Sequence, residues 1–331
     1  MNKTFIIAEL SANHNHDIDI ARKTIRAAKE AGADAVKMQT YTADTMTLDC
    51  DNEYFRINQG TLWDGMTLHK LYQEASTPWD WHKTLFDYAQ SLGIEIFSSP
   101  FDKRAVDFLE NLNVSRYKIA SFEATDYSLI AYAARLNKPM IISTGISGLE
   151  EITEVIDICK AAGNNDITIL KCTSAYPAKL ENMNILTIAD MRRRFGPKVK
   201  IGLSDHSMNN ETVISAVSLG AEVIEKHFIL DRSLGGPDAG FSLNADEFKA
   251  MVQSVRNTEK VLGQISYDES TQNRKFARSL FVTADIKKGE EFTEENIRSI
   301  RPGDGMHPKY LQDFLGKKAD KDYYFGEPFL G

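Results

Sequence analysis

Two short runs, Ser204-Asp205-His206 and Glu225-Lys226-His227, each close an apolar β-type stretch on a histidine. Neighbouring strands lie about 5 Å apart, so the two imidazoles can reach one ion. Two histidines with open coordination positions suit Mn²⁺, Fe²⁺, Co²⁺ or Zn²⁺ acting as a Lewis acid. A histidine taken alone is more often packed or solvated. Lys37 and Lys118 also end buried stretches, and a lysine there needs an anionic partner. With the hydroxyls of Ser99, Ser121, Ser143, Ser174 and Ser204 they form a set able to converge on an anion carrying phosphate and carboxylate. Glu9, Glu123 and Glu225 stand at comparable positions and are the acid–base candidates. Asp238, in the glycine-rich run Asp231 to Asp238, can hydrogen-bond a polyhydroxy substrate or simply cap its own loop.

These residues need elements that bring them together. Eight short β-type runs alternate with helical patterns: Phe5–Glu9, Ala35–Gln39, Ile94–Ser98, Arg116–Ala120, Pro139–Ser143, Thr168–Cys172, Val199–Leu203 and Val223–His227. Ile18, Ala21, Ile25 and Ala28, then Leu149, Ile152, Val155 and Ile156, show the three- and four-residue spacing of amphipathic helices. A count of eight fits an α/β fold of the (β/α)₈ TIM-barrel type, in which working residues gather at the C-terminal strand ends. A doubly wound open sheet is the alternative, although no Gly-rich dinucleotide fingerprint follows the first strand. Read in order, the strand ends deliver Glu9, Asn13 and His14; Lys37 and Gln39; Ser98 and Ser99; Lys118, Ser121 and Glu123; Ser143 and Thr144; Ser174 and Tyr176; Ser204, Asp205 and His206; and Glu225, Lys226 and His227. All eight are thus expected to send polar groups to one mouth.

The barrel is expected to span 1–263, ending in a helix from about Asp246 to Leu262. A polar linker follows over 264–275, and a small domain of short strands and tight turns over 276–331. That tail is marginal for an independent core. With 47 acidic against 39 basic residues the net charge is −8, which argues against nonspecific nucleic-acid binding. No apolar run approaches the roughly 20 residues needed to span a bilayer. Met1-Asn2-Lys3-Thr4 leads into a strand rather than a signal peptide, so a cytoplasmic location is expected. Cys50, Cys159 and Cys172 imply no disulfide framework; Cys159 and Cys172 read as small buried residues, although Cys172, following the apolar run Ile167 to Leu170, could face a site.

Several of these runs resemble the sialic acid synthase family. They are Ile-Ala-Glu-Leu-Ser-Ala-Asn-His (7–14), Ala-Val-Lys-Met-Gln-Thr-Tyr (35–41), Tyr-Lys-Ile-Ala-Ser-Phe-Glu (117–123), Ser-Thr-Gly (143–145), Gly-Leu-Ser-Asp-His (202–206) and Ile-Glu-Lys-His-Phe (224–228). Ala277-Arg278-Ser279-Leu280 and Arg298-Ser299-Ile300-Arg301-Pro302-Gly303 resemble the antifreeze-like (SAF) domain of the same enzymes. The resemblance runs over nearly the whole chain in motif order. It implies a transferase that condenses phosphoenolpyruvate with an open-chain amino sugar aldehyde and releases phosphate. It further implies that Lys37, Ser99, Lys118, Ser121, Ser143, Ser174 and Ser204 hold phosphoenolpyruvate. His206 and His227 would bind Mn²⁺, or Mg²⁺ or Co²⁺ in its place. Gln39, Tyr176 and Asp238 would face the sugar, and Glu9 and Glu123 would handle the attacking water. Arg301 would reach the sugar from the tail across a domain-swapped homodimer.

This sequence departs from the neuraminic branch at three positions. Ser99 stands where Thr is usual, Ser174 where Asn is usual, and Phe122 where Gly is usual. The first two spare the chemistry, and Phe122 adds apolar bulk that suits a deoxy sugar. Rival readings are a synthase of the same family acting on a legionaminic or neuraminic acid precursor, a Schiff-base aldolase using Lys37 or Lys118, and a non-catalytic sugar-binding protein.

Overall fold

Eight parallel strands close on themselves: β1 (Phe5–Glu9), β2 (Ala35–Thr40), β3 (Glu95–Pro100), β4 (Tyr117–Ile119), β5 (Met140–Ser143), β6 (Ile167–Cys172), β7 (Val199–Asp205) and β8 (Val223–His227). The structure is a computed structural model that describes residues 3–58, 60–267 and 271–331. Closure comes from β8 pairing β1, with Glu9 opposite His227, while on its other edge Glu9 lies opposite Lys37. The barrel alternative is therefore the correct one, and the open sheet is excluded.

Strand residues alternate between the interior of the barrel and the surrounding helices. Ile7, Ala35, Phe97, Ile141, Leu170 and Val223 form one buried cluster inside. They make an apolar plug across the barrel. Two residues further along each strand the same face carries Glu9, Lys37, Ser99, Ser143, Cys172 and Glu225, which puts a polar layer directly above the plug. Gly202 of β7 has no side chain in the plug because there is no room for one. A Cβ there would stand 2.3 Å from the Val223 carbonyl oxygen and 2.6 Å from Leu170.

Three strands run further than the apolar pattern indicates. β2 continues to Thr40, β3 through Ser99 and Pro100, and β7 through Ser204 and Asp205. Hydrophobicity stops at the edge of the site while backbone pairing does not, because the polar side chains there find partners. Ser98 Oγ lies 2.6 Å from Thr40 Oγ1.

The helices that position the strands are fixed at their N-termini by short polar side chains. Asp17 caps Ile18–Glu30, Asp102 caps Lys103–Asn111, and Asn244 with Glu247 forms a capping box on Ala245–Leu262. The last helix thus begins one residue before the expected Asp246. No helix among the described residues is long and apolar enough to cross a membrane.

The chain divides into two compact units, Met1–Gly263 and Gln264–Gly331. Of the residues read as a linker, 268–270 lie outside the described residues, as do residues 1 and 2, and Thr271–Phe276 forms a 3₁₀ stretch. The second unit holds an antiparallel pair, β9 (Ser279–Val282) and β10 (Ile297–Ile300). Its own core gathers Leu280, Val282, Ile286, Phe292, Ile297 and Phe329. The turn over 287–290 is flanked by isolated bridges, Ile286 with Tyr323 and Glu291 with Lys318.

The interior plug yields a stability prediction. Phe97→Ala should lower barrel stability by about 3–5 kcal/mol, the usual loss for deleting a buried aromatic ring. Trp63, Trp79 and Trp81 all lie in the first unit and are the chain's 3 tryptophans. Urea unfolding followed by tryptophan fluorescence therefore reads the barrel alone. A loss below about 1 kcal/mol would mean that Phe97 does not fill the interior.

Candidate active site

Lys37 Nζ stands 3.1 Å from Glu9 Oε2 and 3.2 Å from Glu225 Oε1. Lys118 Nζ approaches the same Glu225 oxygen at 3.5 Å. Four buried charges thus alternate in sign across the floor of the cavity. Burial alone would make each expensive, and the pairing is what keeps them charged. Burial raises the Glu225 carboxyl, but the Lys118 and Lys37 ammonium groups outweigh it and hold the pKa below its usual value. Lys37 goes upward despite burial because both carboxylates face it. Lys118, with the weaker contact, is pulled down by burial. Burial also drives the Glu9 carboxyl upward against the pull of Lys37.

Above this floor the hydroxyls assemble. Ser121 Oγ and Ser174 Oγ lie 2.8 Å apart, and Ser204 Oγ donates to Glu225 Oε1 at 3.3 Å. Gly145 lets these serines come close to the backbone. A Cβ there would stand 2.1 Å from Ser174 Oγ and 2.7 Å from Ser121 Oγ. The hydroxyls of Ser99 and Ser143, Oε2 of Glu225 and Glu123, and Nδ1 of His227 are buried without a protein hydrogen-bond partner. Buried polar atoms are seldom left so, and several in one place mark a surface built to bond something other than protein.

On the opposite side Gln39 Nε2 donates to Glu9 Oε1 at 3.0 Å and to Ser11 Oγ at 3.1 Å. Ser11 in turn donates to Asp238 Oδ2, which also accepts from the Ala12 amide at 3.3 Å. Asp238 is therefore an oriented carboxylate at the rim rather than a solvated loop residue.

The two histidines do converge, with ring centroids 5.3 Å apart. His206 Nδ1 lies 2.9 Å from the Thr173 carbonyl oxygen, so that nitrogen carries the proton in the neutral ring and Nε2 presents its lone pair. Burial pushes His227 well below its usual pKa, helped by the charges of His206 and Lys37, so its imidazole is neutral, the ligating form. Burial would also depress His206, but contacts with the Cys172 thiol and the Thr173 carbonyl hold it above its usual value. An ion at Nε2 competes with that proton. No cluster of three or more His, Cys, Asp or Glu among the described residues surrounds a common ion position. The converging rings and the unpartnered Nδ1 of His227 fit a divalent ion that these two imidazoles would hold.

Tyr176 stacks beside the imidazoles, 4.4 Å from the His206 ring, 5.1 Å from Phe241 and 6.0 Å from Trp63. The whole encloses a cavity of about 510 Å³, the size of an ordinary small-molecule site.

Glu9, Lys37, Gln39, Lys118, Ser121, Glu123, Ser143, Ser174, Tyr176, Ser204, His206, Glu225, His227 and Asp238 all line that cavity, as does Phe122. Ser99 is buried at the strand register of Gln39 but does not line it. Arg301 lies in the second unit, exposed, just after β10.

Two expectations need correction. Strand ends do not send every polar group to the mouth. Ser98, Asp205 and Lys226 point the other way by alternation, and Asn13 and His14 bond Ser242 and Thr77 away from the cavity. Of the two readings open for Cys172 the structure supports both, since it is buried and also lines the cavity from the inward face of β6. The anionic partner of the two lysines lies within the protein as Glu225. The sequence reading also missed the wall formed by Tyr41, Leu68, Leu71 and Tyr72 with Trp63 and Phe241. Most of it comes from the stretch between Thr40 and Glu95, far longer than an ordinary strand-to-helix connection, and that length was the available signal.

The described geometry can be set beside known proteins. The model of the NeuB family matches residues 24–267, and that of the SAF domain matches residues 277–331. A pseudaminic acid synthase of Campylobacter jejuni subsp. jejuni serotype O:2 is 51% identical over 98% of this chain and 95% of its own length. The N,N'-diacetyllegionaminic acid synthase of the same strain is 36% identical over 98% of both chains. Among solved structures, an N-acetylneuraminic acid synthetase from Leptospira borgpetersenii superposes with a TM-score of 0.73 at 28% identity, covering 82% of this chain and 90% of that one.

The cavity makes stability depend on pH in a defined direction. Burial pushes the Glu123 carboxyl up to about 7, against the pull of Lys118. The unfolded chain titrates this group near 4.3. Its contribution is thus fully present below about pH 4 and is lost as pH rises through about 7, because the folded form must then bury a charge. Glu123→Gln should flatten the fall in urea midpoint between pH 5 and 8. An unchanged slope would mean that Glu123 titrates as an ordinary exposed carboxyl.

Proposed function

The chain belongs to the NeuB family, and from that premise we propose that it is a pseudaminic acid synthase. The reaction joins phosphoenolpyruvate to 2,4-diacetamido-2,4,6-trideoxy-L-altrose and releases phosphate. The observation that carries the chemistry is the floor of paired lysines and hydroxyls set beneath two converging imidazoles. For the sugar, the support is the much higher identity to the pseudaminic than to the legionaminic acid synthase of one strain. The runs Gly-Thr-Leu-Trp-Asp-Gly (60–65) and Thr-Pro-Trp-Asp-Trp-His (77–82) point the same way. An apolar wall that includes exposed Phe122 suits a sugar with a methyl group in place of a hydroxymethyl. A neuraminic or legionaminic acid precursor is the second reading.

Lys37 and Lys118 bind the anionic groups of phosphoenolpyruvate, with Ser121, Ser143, Ser174 and Ser204 supplying directed bonds. Gln39, Tyr176 and Asp238 orient the open-chain sugar. A divalent ion on His206 and His227, Mn²⁺ in this reading with Mg²⁺ or Co²⁺ able to replace it, would supply Lewis-acid polarisation of the aldehyde. The new bond joins C3 of phosphoenolpyruvate to the aldehyde carbon, whose oxygen gains a proton. Water adds at C2 and gives up its protons, and the bond between C2 and the bridging oxygen breaks, so phosphate leaves with that oxygen. Glu9 and Glu123 stand where a carboxylate can take a proton from that water and face the cationic C2. The aromatic wall keeps bulk water from C2 until the carbon–carbon bond is made.

By the same resemblance the active form is a homodimer in which Arg301 of each tail completes the partner's site. The reading carries with it a cytoplasmic location, where phosphoenolpyruvate is made.

Phosphate release against a panel of the three sugar precursors tests the assignment. The altrose should be favoured in kcat/KM by at least about tenfold, or about 1.4 kcal/mol. Equal or better turnover of a 6-hydroxylated sugar would move the assignment to the neuraminic branch. Exhaustive chelation should abolish release and Mn²⁺ should restore it. For the tail, mixing inactive His227→Ala with inactive Arg301→Ala and allowing subunit exchange should recover part of the activity. A mixture that stays inactive although both variants fold and dimerise would rule out action in trans.

A further inference from the structure

Lys226 and Asp205 form an ion pair that lies entirely outside the cavity. Their side chains are 0% exposed, and Nζ to Oδ2 is 2.7 Å. They are register partners on β8 and β7. Each immediately precedes one of the two converging histidines, yet neither lines the site.

The hydrogen bonds around the pair show what it holds. Asp205 Oδ1 accepts from the Ser207 amide at 2.8 Å, which closes a turn with His206 as its central residue. Lys226 Nζ donates to the Ser207 carbonyl as well, so the same turn is tied from the neighbouring strand. Asp205 Oδ2 also accepts from Thr212 Oγ1 at 2.7 Å, which anchors the arrangement to helix Asn210–Ser218. A buried ion pair is seldom the most stable filling for such a place, since apolar residues of similar volume do as well or better. What an ion pair adds is direction, and here its bonds converge on the backbone that carries His206 and His227.

We propose that the Asp205–Lys226 pair is a positioning device that sets the separation and orientation of the two imidazoles and so creates the affinity for a divalent ion. The proposal rests on the reading of His206 and His227 as metal ligands. It assigns these two residues no contact with substrate. Side chains that orient metal ligands without touching the metal usually govern affinity by 10- to 100-fold.

The test is Mn²⁺ binding to the full-length protein without substrates, read from the electron paramagnetic resonance signal of free Mn²⁺. Single replacements leave one charge buried alone and risk unfolding, so the main variant is Asp205→Asn with Lys226→Met. Thr212→Val, which removes one bond to Asp205 and no charge, is the milder second variant. The double variant should lose Mn²⁺ affinity by at least tenfold, and Thr212→Val by a few-fold. Thermal midpoint and calorimetric affinity for phosphoenolpyruvate should stay near those of the unaltered protein in Thr212→Val. Retention of full Mn²⁺ affinity by every variant that folds would overturn the proposal. So would a parallel loss of phosphoenolpyruvate affinity in both variants, which would show general disruption of the barrel mouth. His206→Ala and His227→Ala serve as controls. If those two keep their Mn²⁺ affinity, the ligand reading itself fails. The positioning role is then judged on the imidazole ¹H–¹⁵N shifts of His206 and His227, which should move in the double variant and would refute positioning if they did not.

Discussion

A lysine cannot stand in a barrel interior without a countercharge, and that constraint organises the centre of this molecule. Lys37 and Lys118 both project above an apolar plug, where their ammonium groups have little access to water. Glu225 faces both, and Glu9 faces Lys37 from the other edge. The signs alternate along the chain of contacts from Glu9 through Lys37 and Glu225 to Lys118, because Lys37 of β2 reaches carboxylates on both β1 and β8, which are neighbours. An arriving anion does not have to strip water from the lysines, because folding has already done so. It exchanges a carboxylate partner for its own oxygens, which is the preorganisation that makes charge stabilisation effective in a low-dielectric site.

The two-residue repeat of the strands then separates chemistry from scaffold within each motif. In Ser204-Asp205-His206 the outer two residues enter the cavity, and the middle one turns toward a helix and its partner on β8. In Glu225-Lys226-His227 the division is the same. Each triplet thus contains site residues and a residue that holds the backbone carrying them. Motifs of this sort look like three functional residues in a row, but geometry assigns only two of them to the cavity.

This division also explains how much could be read from the chain. The eight strands were legible because each is a short, largely apolar run with polar residues at or just beyond its end, and strands β1 and β8 have the expected limits. The polar floor was legible because Lys37, Lys118 and the serines follow buried runs in which a polar group needs a partner. Which polar residue faced inward was readable in principle by counting in twos from Ile7, Phe97 or Leu170. The list of polar strand ends takes no account of that alternation, so Ser98, Asp205 and Lys226 fall on the wrong side. Pairing across strands was not readable, so Glu225 looked like an acid–base candidate rather than the countercharge of two lysines. The aromatic wall was hidden for a different reason. Leu68, Leu71 and Tyr72 have the spacing of ordinary helix packing, and only the length of the excursion beyond β2 distinguishes it.

The floor and the wall make opposite demands on water, and the cavity meets both. Charged groups on the floor are stabilised by one another, so they tolerate a dry environment. The wall of Tyr41, Tyr72, Tyr176 and Phe241 supplies that dryness. In the proposed reaction one water molecule must reach C2 after the carbon–carbon bond forms, and others must be kept away before it. Glu9 is fixed by Gln39 and Lys37, so its lone pairs are already directed. Glu123 retains an oxygen with no protein partner. It is also raised to about 7, near the value at which a carboxyl gives and takes a proton with equal ease at neutral pH. Burial raises Glu9 to about 7 as well, so what separates the two is geometry: Glu9 is held by Gln39 and Lys37 beside the developing cation, while the unpartnered oxygen of Glu123 is open to the proton of the attacking water.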